Sequence, residues 1–150
     1  MGRITLQSVY GVADAKVFHI HGTPGSGVIL GHGWLPAVRE YQPGDEDIDP
    51  RIQQGDDIIQ GYFKKTFKPT ESVISTNRAF FKSLAEVERI FVFGHSLGDV
   101  DIPYFETVVE QIDTSKVKWK VSYFGSVDQI KEQFEQLGIP EALVEFVTLD

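Results

Sequence analysis

The segment Ile90–Phe105, IFVFGHSLGDVDIPYF, constrains the fold more than any other stretch of the chain. Its first four residues, Ile90 to Phe93, form the short apolar run of a strand buried on both faces. Gly94, His95, Ser96, Leu97 and Gly98 follow at once, and then Asp99, Asp101, Pro103 and an amphipathic run. That order predicts a strand, a sharp turn and a helix start, with small and polar groups gathered at the carboxyl end of the strand. In open α/β sheets ligands bind at that edge.

The rest of the chain reads around this segment. Ile4 to Val12 is a weak opening strand, and Lys16–Ile20 and Val28–Leu30 form an antiparallel hairpin, because Thr23–Gly27 between them is too short for a crossover. Trp34 to Pro50, with Asp45, Glu46, Asp47 and Asp49, reads as a surface loop, either a lid or a solvated excursion. A helix is expected over Arg51–Phe67. A second helix runs from Thr70 or Ser72, as cap, to about Val87. After the strand at Ile90–Phe93 come a helix over Asp101–Ile112 capped by Asp101, a strand over Val117–Phe124 and a helix over Ser126–Leu137 capped by Ser126. A last strand covers Val144–Leu149. Alternation of helix and strand implies a parallel sheet wrapped by helices. The expected fold is therefore α/β: a Rossmann-like, mostly parallel sheet with helices on both faces and an N-terminal β-hairpin, forming a single domain over residues 1–150. Nucleotide-binding folds of this kind open on a strand and a Gly-rich loop. None is found here, so the chain reads as the C-terminal part of a larger domain.

Composition narrows the function classes. A formal net charge of −8 disfavours non-specific nucleic-acid binding and anionic membranes. Without cysteine there are no disulfides and no thiolate metal sites. No apolar run is long enough to span a bilayer. The expectation is a cytoplasmic protein acting on a small-molecule nucleotide, and homo-oligomerisation stays open.

Three chemistries compete at the strand ends. Gly94-His-Ser-Leu-Gly98 satisfies the G-x-S-x-G pattern of a serine-hydrolase nucleophile elbow, with His32-Gly-Trp34 as an oxyanion-hole segment. No histidine follows His95, however, so the serine lacks its base in the required chain order. A metal site could form from His19 and His21, on one face of a strand, with His32 across the hairpin. A one-residue slip in register would separate them. In the third reading Gly94 and Gly98 admit a ligand to the backbone and Ser96 offers a hydroxyl. Asp99 and Asp101 repel phosphate but accept hydrogen bonds from ribose.

With those residues in view, the chain resembles the bacteriophage abortive-infection AbiH family. The resemblance rests on His19-Ile-His-Gly22, Ile29-Leu-Gly-His-Gly33 and Phe93-Gly-His-Ser-Leu-Gly-Asp-Val-Asp-Ile-Pro-Tyr-Phe105, and it covers the C-terminal portion of the family. More distantly, the His-Gly and Gly-x-Ser-Leu motifs are similar to those of sirtuin-like NAD-binding domains. What the resemblance implies is a Rossmann-like fold with NAD as cofactor and His21 in the place of the catalytic base. It also implies that Gly94, Ser96 and Leu97 line the NAD site and that the complete protein would cleave NAD; the reading of the strand ends adds Gly22, His95, Asp99 and Asp101 to that cofactor site. The alternative is a non-catalytic sensor or interaction domain of a phage-defence protein, recognising its partner through Gly44–Pro50 and Trp34.

Overall fold

The computed structural model describes residues 17–23, 25, 27–29, 31–34 and 49–148. The expected strand at Ile4–Val12 and the acidic loop up to residue 48 lie outside the described residues. The chain falls into two compact units, Met1–Lys68 and Pro69–Asp150.

In the first unit β1 (Gly22–Thr23) pairs antiparallel with β2 (Gly27–Val28), in register Gly22↔Val28 and Thr23↔Gly27. The hairpin is there, but its ladder lies closer to the turn than the apolar runs suggested. The reason is a turn at His19–Gly22, closed by the Gly22 N–H donating to the His19 carbonyl at 3.0 Å, which ends any extended run from Lys16. Gly22 has φ 80°, and a Cβ there would run into the Gly27 carbonyl oxygen, so hairpin closure alone requires glycine.

Helix α1 (Pro50–Lys65) follows its sequence signals. The Asp49 carboxylate accepts from the Arg51 N–H at 2.9 Å, Pro50 takes the first turn, and Lys64 and Lys65 face the negative end of the helix dipole. Beyond the helix, His32 and Phe67 form a parallel bridge. The His32 N–H donates to the Thr66 carbonyl (3.1 Å) and the Lys68 N–H to the His32 carbonyl (2.8 Å).

In the second unit the helix expected from Thr70 to Val87 is two short ones, α2 (Thr70–Thr76) and α3 (Arg78–Lys82). Asn77 breaks it. Its side-chain amide donates to the Val73 carbonyl at 2.8 Å, the competition with the backbone that makes Asn a poor interior residue. Nor does Thr70 cap the helix: its hydroxyl donates to the Val100 carbonyl at 3.2 Å.

Next come β3 (Arg89–Val92), α4 (Ile102–Gln111), β4 (Lys118–Tyr123), α5 (Asp128–Gln136), a 3₁₀ turn (Glu141–Leu143) and β5 (Val144–Thr148). The three strands form a parallel sheet in the order β3-β4-β5. Alternate residues of the ladder, Ile90, Val92, Trp119, Val121, Val144 and Phe146, pack on one face. Ile130 and Phe134 from α5, and Ile102, Phe105, Val108 and Val109 from α4, pack against them. Both crossover helices thus share a face, as same-handed crossovers between strands in sequence order require. This corrects the expectation of helices on both faces for the crossovers of this unit, and with it the reading of β3 as buried on both sides. Phe91 is 57% exposed and Phe93 58%, their rings stacked at 6.0 Å between centroids. The turn after α4 is tied by Asp113, which bonds Ser115 and Lys116. The Lys116 ammonium and the Ser115 hydroxyl and amide hold its carboxyl down to about 2.

Candidate functional site

The loop from Gly94 to Gly98 is built by three side chains that come from elsewhere in sequence or turn back on it. Gly94, at φ 63°, turns the chain out of β3, and its N–H donates to the Ser122 hydroxyl at 2.9 Å. Leu97 is the one non-glycine residue with positive φ among the described residues (50°), and it is fully buried at 0% exposure. A left-handed residue costs about 1–2 kcal/mol, whereas burying a leucine contributes about 1.5–3 kcal/mol, so burial outweighs the strain. Both backbone groups of Leu97 are also engaged. Its N–H donates to His95 Nδ1 at 2.9 Å, and its carbonyl accepts from Gln133 Nε2 at 2.5 Å.

These bonds define what His95 can do. A ring nitrogen that accepts carries no proton, so the neutral imidazole holds its proton on Nε2. Nε2 lies 3.6 Å from an Asp101 carboxylate oxygen, and the ring meets Phe105 edge-on at 5.2 Å. His95 is therefore a clamp on the loop. Asp101 occupies the position before α4 without a side-chain capping bond, contrary to the cap expected of it; its carboxylate faces His95 instead. Asp99 and Ser96 are exposed in the turn. The strained residue of a nucleophile elbow is the serine itself. Here it is Leu97, and both nitrogens of His95 point away from Ser96, so the loop does not have elbow geometry.

A cavity of about 300 Å³ opens at the carboxyl ends of β3 and β4. Gly94, His95 and Ser96 line it from one side. Ser122, Tyr123, Phe124 and Ser126 close the other, with Gln129 and Ile130 of α5 behind. No lysine or arginine is among these residues. The structure thus brings Gly94, His95 and Ser96 together with a group that sequence reasoning missed. The signal was present: Ser122-Tyr-Phe-Gly-Ser126 is a second cluster of small and polar residues at a strand end.

His21 and Gly22 belong to the first unit, with the His21 carbonyl accepting from the Ile29 N–H at 2.8 Å across the hairpin. His32 Nε2 bonds the Thr66 hydroxyl at 2.9 Å, and its ring packs on Phe63 and Trp34. Among the described residues no three His, Asp or Glu side chains cluster as a metal would need. Among the same residues no helix is long and apolar enough to cross a membrane.

No curated protein and no solved structure matches the chain. The family model described as bacteriophage abortive infection AbiH matches residues 4–123, which is most of the sequence and includes the whole Gly94–Gly98 loop, α4 and β4. By that match the chain belongs to the bacteriophage abortive infection AbiH family.

Proposed function

We propose that the chain is a nucleotide-binding module of a phage abortive-infection protein, that its sheet is Rossmann-like, and that its nucleotide is NAD. The observation that supports this most is the cavity at the carboxyl ends of two adjacent parallel strands, the place where open α/β sheets bind ligands. Gly94 leaves the backbone accessible, Ser96 presents a hydroxyl, and the clamp on Leu97 holds the loop ready before any ligand arrives. Titration calorimetry of the chain with NAD tests the reading. Saturable binding, weakened about five- to tenfold in Ser96→Ala by loss of one hydrogen bond, is expected. Absence of binding to the unmodified chain would sink it. Turnover is a separate question: release of free nicotinamide, lost in His21→Ala, would add a catalytic role.

A non-catalytic interaction role is favoured by a different observation, the exposed stacked pair Phe91 and Phe93 on the open face of the sheet. Apolar side chains exposed side by side on a sheet face mark contact surfaces. Silence toward NAD, ADP-ribose and metals alike would favour this second reading.

A further inference from the structure

Resting on the nucleotide reading above, we infer that the crevice beside β4 takes a nucleoside end of the ligand, its base laid on Phe124, and that the phosphates stay outside. Phosphate cradles offer free backbone N–H groups, a helix N-terminus or a cation. In this crevice several backbone amides are already taken, the helix end carries a carboxylate, and no described residue supplies a cation. The amides of Gly94 and Leu97 are already donated to Ser122 and His95, and the Asp101 amide to the Gly98 carbonyl. The first turn of α5 holds its own anion, Asp128, whose carboxylate accepts from the Ser126 hydroxyl at 2.8 Å. Among the described residues no lysine or arginine lines the space.

What the crevice does offer suits a flat, hydroxyl-bearing group without negative charge. Phe124 is 91% exposed at its rim, an aromatic face left in water. Ser96 and Gln129 are exposed, and neither side chain is hydrogen-bonded to a described residue, so a hydroxyl and a carboxamide stand free for ribose or a base edge. At about 300 Å³ the space lies at the small end of ligand pockets, fitting one nucleoside better than a dinucleotide.

The test is calorimetry on the chain and on its Phe124→Ala variant with NAD, adenosine, nicotinamide riboside and inorganic pyrophosphate. Phe124 is on the surface, so the variant should fold, and circular dichroism checks that it does. One of the two nucleosides is expected to bind and thereby identify the end of NAD involved. Phe124→Ala should weaken that nucleoside and NAD alike by about tenfold or more, the size of one base–aromatic stack. Pyrophosphate should not displace NAD. If NAD binds but is indifferent to Phe124→Ala, or is displaced by pyrophosphate, the nucleoside assignment is overturned while the nucleotide reading stands. If no nucleotide or nucleoside binds, both fall.

Discussion

The side-chain amide of Gln133, on α5, donates to the main-chain carbonyl of Leu97 at 2.5 Å across 36 residues of sequence. With His95 Nδ1 accepting from the N–H of the same residue, Leu97 is held from both ends of its backbone. Its buried side chain anchors the loop from below. The rigidity of the candidate site therefore comes from a helix that follows the next strand.

Gln133→Met should remove the one donor that the described residues supply to the Leu97 carbonyl and lower stability by about 1 kcal/mol. That is less than the full 1–3 kcal/mol of an orphaned group, because the Gln133 Oε1, buried without a partner among the described residues, goes too. Urea unfolding measures the loss. Faster hydrogen exchange at Leu97 would place it in the loop.

Leu97→Ala should cost about 3 kcal/mol, as for other fully buried leucines whose removal leaves a cavity. Leu97→Gly relieves the positive φ but forfeits the same burial, so it should not be the milder of the two by more than about 1 kcal/mol. A thermal melt of both variants decides this.

Trp119 is 2% exposed, and its buried indole N–H has no hydrogen-bond partner among the described residues. Trp119→Phe exchanges lost packing for relief of that orphan donor and should change stability by less than about 1 kcal/mol. Trp119→Ala should cost about 3–5 kcal/mol. If Trp119→Phe proves as damaging as Trp119→Ala, the indole N–H has a partner.

Burial pushes the Tyr104 phenol above its ordinary value of 10.0; the Thr70 hydroxyl opposes the shift and the Asp101 carboxylate reinforces it. The folded state thus favours the neutral phenol. The stabilisation is complete below the unfolded value near 10 and is lost as pH rises through the higher folded value. Melting temperature should fall above pH 10, and Tyr104→Phe should flatten part of that fall. An unchanged alkaline profile in the variant would contradict it.

Much of the fold was legible because short-range physics sets it. Apolar periodicity located α1, α4, α5 and the three parallel strands to within a few residues. Where local signals competed, reading failed. Asn77 splits a helix whose apolar spacing runs on through it, and a turn at His19–Gly22 cuts short a strand with good β residues. The run Ile90–Phe93 looked buried on both sides because apolarity does not say how many faces a neighbour covers.

At the candidate site the strand, the turn, the helix start and the polar chemistry of Gly94 to Asp101 follow from residue order alone. What those residues do depends on packing between distant elements. Tertiary structure made His95 a clamp and Asp101 its neighbour, put the strain at Leu97, and brought Ser122 and Gln133 to the loop from 28 and 36 residues away. The physical reason is that a backbone N–H or carbonyl must find a partner once it leaves water, and which side chain supplies it depends on how strands and helices stack.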